Sequence, residues 1–179
     1  MKYRYIAASI VCAMTFSSCG DSDQDSKSKA TPIENETSQH EKASPEIDQI
    51  PKEQLVMVMI ALAGKDEAEA LSKLLKAGAN PDCNLEGMTP LLAACAEGNV
   101  SCVKILLEHG ADVNERAGNG VTALMMASFA GKPECVKVLI QAGANVHARA
   151  DEGETALEFA VLRGELECAK LLRAAGATD

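Results

Sequence analysis

The chain has 179 residues and a formal charge of −9, which argues against a general nucleic-acid-binding surface. It has no Trp, two Tyr and three Phe, so any core must be built from aliphatic and small side chains. Seven cysteines occur without a Cys-x-x-Cys pair, and together with three scattered histidines they form no metal-ligand cluster in sequence. No cofactor or metal is expected. No Ser–His–Asp order, phosphate loop or carboxylate pair has supporting context, so the chain does not read as an enzyme.

In chain order, residues 1–18 read as an export signal. Lys2 and Arg4 precede an uncharged, mostly apolar run from Ile6 to Phe16. That run is too short to span a bilayer comfortably but fits the apolar region of a signal peptide. It ends Phe16-Ser17-Ser18-Cys19, small residues before a cysteine. This resembles a bacterial lipoprotein signal, with Phe16 where that family usually has Leu. The resemblance implies a lipid on Cys19, acyl chains such as palmitate in a membrane, and a place in the cell envelope. Secretion is the alternative. Gly20, not Asp, follows the cysteine, which leans toward the outer over the inner membrane. Each buried methylene of such an anchor contributes about 0.8 kcal/mol. Residues 19–50 are then a polar linker. From Gly20 to Ile50 there are eight acidic and three basic residues and too few apolar ones for a core, so a disordered, self-repelling tether is expected.

Residues 51–179 change character. Pro51-Lys52-Glu53 suits a helix start. Leu55 to Ala63 forms an apolar helical run, which Gly64 is expected to break. Asp66 to Lys76 predicts a second helix with Ala70, Leu71, Leu74 and Leu75 on one stripe, closed at Gly78. Met57 and Met59, two residues apart on one helix, cannot both face a core.

After this unit a fixed step appears. Gly87, Gly120 and Gly153 lie 33 residues apart, as do Thr89, Thr122 and Thr155, then Leu91, Leu124 and Leu157, then Ala94, Ala127 and Ala160, and also Cys102, Cys135 and Cys168. A period of this length signals stacked repeats. The threonines sit where a hydroxyl can cap a helix, and Pro90 takes a first-turn position. Leu106, Leu139 and Leu172 predict a ladder between units. Gly78, Gly110, Gly143 and Gly176 predict left-handed helix stops.

The run Gly87-Met88-Thr89-Pro90-Leu91, then Ala94, Gly98, Leu106-Leu107 and Gly110-Ala111-Asp112-Val113-Asn114, resembles the ankyrin repeat family. The resemblance implies an all-α solenoid of about four stacked helix-turn-helix repeats, near 51–82, 83–115, 116–148 and 149–179. The histidine that the family places after Thr-Pro-Leu is replaced by Leu92, Met125 and Glu158, so its turn hydrogen bonds must be lost or replaced. The connection from Gly78 to Gly87 is one residue shorter than the two that follow, which predicts a trimmed finger. Charges at Glu154, Glu158, Arg163 and Glu165 suggest a last unit adapted to solvent.

The three stepped cysteines should stand roughly 10 Å apart by helix-packing distance, beyond the about 7 Å that a disulfide tolerates. They are expected to be small buried hydrophobes, while Cys83 and Cys95 stay open. The family resemblance also implies a concave recognition surface made by finger tips and first helices. It nominates Leu85, Glu86, Met88 and Leu92, then Asn119, Val121 and Met125, then Asp151, Glu152, Glu154 and Glu158. Leu92 and Met125 are expected at the surface. The implied activity is non-enzymatic binding of another protein by a monomer tethered to the envelope. An immunity or stress-protective factor acting on a toxin or an envelope enzyme is the alternative.

Overall fold

The computed structural model describes residues 51–178; the expected export signal, Cys19 and the expected linker lie outside the described residues. Eight helices follow one another in pairs: α1 (Lys52–Gly64), α2 (Ala68–Lys76), α3 (Pro90–Glu97), α4 (Val100–Glu108), α5 (Ala123–Phe129), α6 (Pro133–Gln141), α7 (Ala156–Arg163) and α8 (Leu166–Ala174). Among the described residues there is no strand, only three isolated β-bridges in the fingers between pairs. The fold is an all-α repeat solenoid.

The first helix of each of the last three pairs starts where the sequence supplies an acceptor for a free backbone N–H. The hydroxyls of Thr89, Thr122 and Thr155 accept from the N–H groups of Leu92, Met125 and Glu158 at 3.2, 3.4 and 3.2 Å. The positions of the missing histidine complete this cap in different ways. The Glu158 carboxylate accepts from the Thr155 N–H at 2.7 Å, and Met125 Sδ takes the Thr122 N–H weakly at 3.5 Å. Leu92 has no acceptor to offer. Gly78, Gly110, Gly143 and Gly176 all have positive φ, as their place after a second helix requires.

The odd-numbered helices stack in one row, α1–α3–α5–α7, and the even-numbered in another, α2–α4–α6–α8. Between the rows lie the aliphatic core residues. Leu106, Leu139 and Leu172 are fully buried in register, and so are Ala94, Ala127 and Ala160, whose small side chains let the helices approach. Met59 is buried and Met57 is exposed, as their spacing on α1 demands.

α1 ends at Gly64, as expected, and the chain turns left-handed two residues later, at Asp66, with φ 58°. Asp is among the few non-glycine residues that tolerate this conformation. One expectation needs correction: Leu92 and Met125 are not surface residues, each being 1% exposed. Their side of the helix is the one on which the next unit packs. The charged Glu158 and Arg163 of the last unit are exposed, as expected, but so are Val161, Leu162 and Leu166, at 54%, 78% and 74%.

The fingers are joined across units by side-chain oxygens that accept backbone N–H groups. Asp82 Oδ1 accepts from Asp112 and Asn114 Oδ1 from Asn145, both at 2.8 Å. The first finger is trimmed as its length predicts: Leu85 bridges Met88, whereas later fingers bridge Arg116 to Thr122 and Arg149 to Thr155. Its tight tip puts Glu86 at φ 51° and Gly87 at φ 84°. A Cβ on Gly87 would stand 2.7 Å from the Gly118 backbone nitrogen, so neighbouring fingers touch through backbone there.

Candidate interaction surface

The open side of the odd-numbered row carries the largest exposed apolar side chains outside the unit ends. On α5 and α7 the sequence places Met126, Phe129, Phe159 and Leu162 opposite the buried Leu124, Ala127, Leu157 and Ala160. Phe129 is 40% exposed. Its ring meets Phe159 edge-on, with centroids 6.0 Å apart and planes at 89°. Arg163 lies over the same ring, Cζ 4.6 Å from its centroid. Such an aromatic pair contributes about 0.5–1.5 kcal/mol beyond its buried area, and an exposed cation–π contact about 0.5–1 kcal/mol. The two contacts hold the aromatic platform in place without burying it.

Next to the platform is an open hollow of about 390 Å³, lined by Glu154, Glu158, Phe159, Val161 and Leu162. Glu154 comes from the finger and the others from α7, so finger and helix present one continuous surface here. It is apolar with an acidic rim.

The residues nominated from sequence fall into three groups. Glu86, Asn119, Glu152 and Glu158 are exposed, and Leu85, Met88, Val121 and Glu154 are half-buried along the fingers. Leu92 and Met125 belong to the core. Asp151 is exposed but engaged: its Oδ1 accepts from Arg116 Nη2 at 3.0 Å, while Arg116 Nη1 donates to the Arg149 carbonyl at 2.9 Å. Arg149 Nη1 in turn donates to the Gly153 carbonyl at 2.7 Å. These arginines brace the second and third fingers. Part of the acidic character of the last finger is thereby neutralised, and Glu158 spends one oxygen on its helix cap.

Phe129, Phe159 and Leu162 were not singled out by sequence reasoning. A signal for them was available. In the 33-residue register Ala93 is followed by Met126 and Phe159, and Ala96 by Phe129 and Leu162. Small residues grow into large apolar ones; Phe129 and Leu162 stand exposed, while Met126 and Phe159 pack partly against the core.

The cysteines form no competing site. All five described thiols are free; Cys95, Cys102, Cys135 and Cys168 are buried and Cys83 is half-buried. Burial raises the Cys102 thiol to about 12, with nearby Asp66 adding to the effect, and raises Cys83 and Cys135 to about 11 from the usual 9.0. Cys95 and Cys168 are pushed up as well, again chiefly by burial. The thiolate is the reactive form, so these are inert packing groups near neutral pH. Among the described residues, no helix is long and apolar enough to cross a membrane.

Comparison with known proteins agrees with this architecture. The family profile described as Ankyrin repeats (3 copies) matches residues 56–150 and 115–178. A protein of Arabidopsis thaliana, Potassium channel AKT2/3, is 40% identical over 63 residues, which is 35% of this chain and 8% of the channel. The match thus spans a small part of that relative's length.

Proposed function

Since the chain belongs to the ankyrin repeat family, we propose that it is a protein-binding module whose recognition face is the apolar platform of α5 and α7 with its acidic rim. Ankyrin repeats mediate binding to other proteins, and the platform gives that general role a location. The observation that carries the reading is the exposed Phe129 ring, fixed by the half-buried Phe159 and by Arg163 and continued by Leu162. Exposed, preorganised aromatic side chains lose little entropy on binding and supply large contact areas. The ligand that fits is a protein segment with an apolar patch for the rings and a basic flank for Glu152, Glu154 and Glu158. The charged rim sets orientation and encounter rate more than affinity.

The envelope location is part of the same proposal. Cys19 follows a signal-like run, and the acidic linker from Gly20 to Ile50 would let the repeats reach partners away from the membrane. Metabolic labelling with an alkyne-tagged palmitate should mark the wild-type chain and leave Cys19→Ser unmarked; equal labelling of both would remove the anchor from the account.

The recognition face is tested by capture from envelope extracts. A partner retained by the wild type should be lost from Phe129→Ala/Phe159→Ala, whose helical circular dichroism and melting remain those of a folded stack. Undiminished capture by the folded double variant would place recognition elsewhere.

A further inference from the structure

The exposed edge of the last unit matches the opposite edge of the first. Within the stack every joint follows one pattern. The face of α5 that carries Ser128 and Met125 is covered by the following unit, and Ser128 is fully buried. One step on, Val161 and Glu158 hold the same places on α7 and are exposed. At the turns, the Lys132 side chain lies against Gly98 and the Glu165 carboxylate against Gly131, while nothing lies within 4 Å of where a Cβ on Gly164 would be. Leu166 is exposed where Pro133, its counterpart, is half-buried. The α7–α8 edge is therefore an interior joint with its cover missing among the described residues.

The α1–α2 edge offers the missing half. Val58 and Leu62 hold the register of Ala123 and Ala127, and of Ala156 and Ala160, once the first interval's one-residue shortening is allowed for. Those alanines are buried against the preceding unit, whereas Val58 and Leu62 are only half-buried. The charges match too. Lys65 and Glu67 stand in the register of Arg163 and Glu165, the residues that reach back to the Phe129 ring and the Gly131 turn in the last interior joint. Both are exposed. One end of the stack thus lacks a cover with a particular pattern of apolar and charged groups, and the other end displays that pattern.

We infer that the chain associates with a second copy of itself head to tail, the α1–α2 edge of one copy seating on the α7–α8 edge of the next. This replaces the monomer expected from sequence. The occupant is a second copy because the docking edge repeats the register and the charge order of the joint already present inside the stack. Val58 and Leu62 are bulkier than the alanines they replace, so a seated copy stands further off than an interior unit does. Such a contact is heterologous and leaves one free edge of each kind, so it does not close at a dimer.

The test uses sedimentation velocity of the full chain in detergent over about a hundredfold range of concentration. The wild type should grow with concentration through dimers to longer species. Val161→Glu/Leu166→Glu, which breaks one edge, and Val58→Glu, which breaks the other, should each remain monomeric, with helical circular dichroism confirming the fold. Should Val58→Glu unfold, Lys65→Glu at an exposed position replaces it. An equimolar mixture of the two folded variants should form dimers and stop, because it contains one intact pair of edges. A wild type that stays monomeric throughout, or a mixture that fails to dimerise, would overturn the inference. So would self-dimerisation of either single-edge variant, since that requires a symmetric contact.

Discussion

The α5–α6 pair and the α7–α8 pair are written on the same 33-residue template and live in different surroundings. Both begin at a threonine cap, both bury an alanine and a leucine at the same register, and both end at a left-handed glycine. They part at the positions that touch a following unit. There α5 has Met125 and Ser128, fully covered, and α7 has Glu158 and Val161, open to solvent. The shared residues specify how a unit folds and stacks; the differing ones record what each unit faces.

This contrast is sharpest in core energetics. Leu139 packs between neighbours on both sides and is fully buried, so Leu139→Ala should cost about 2–5 kcal/mol. Leu166→Ala, at the open edge, should stay within about 0.5 kcal/mol of the wild type. Urea unfolding of the two variants measures the difference. Similar losses for both would mean that the edge is covered in solution or that the interior is loosely packed.

The thiols give a further, graded test. Each has a native pKa raised above its unfolded value near 9.0, by burial first. Above that value the unfolded chain releases thiol protons that the native state still holds. The contribution to stability is therefore complete below about pH 9 and is lost as pH rises through the native values of about 11 to 12. Stability should fall across this window in the wild type and fall less in Cys102→Ala/Cys135→Ala. At neutral pH the folded chain should resist thiol reagents that label it fully in urea. Rapid labelling of the native protein would contradict the burial on which the reading rests.

Much of the fold was legible in the sequence because repetition averages out local ambiguity. Thr89, Thr122 and Thr155 cap, Leu106, Leu139 and Leu172 stack, and the glycines after each second helix turn left-handed, all at the positions the step assigns. The cysteine ladder followed from the same step. The left-handed turn of the first unit sits at Asp66, a residue with weaker but sufficient tolerance of positive φ, which the sequence pattern did not mark.

The surface was harder to read. Leu92 and Met125 occupy positions that the family gives to a polar residue, which suggested exposure. A one-dimensional pattern does not say which flank of a helix the next unit will cover, and it covers theirs. Phe129 and Leu162 were passed over for the opposite reason. Large apolar residues suggest core, yet Ala94, Ala127 and Ala160 with the leucine ladder already fill it, which leaves Phe129 and Leu162 outside. The acidic residues of the last finger kept their place at the surface, but the Arg116–Asp151 pair and the Glu158 cap occupy part of their charge, which their sequence neighbours did not reveal.

The central claim is that recognition belongs to the exposed platform of α5 and α7, and a quantitative comparison of captured envelope proteins tests it most directly. Wild type, Phe129→Ala/Phe159→Ala and Leu166→Glu, an exposed edge position outside the hollow, would be used as three baits with matched folding. The account predicts a partner that is enriched by the wild type, retained by the edge variant and lost from the platform variant. The same partner retained in full by the platform variant would contradict it.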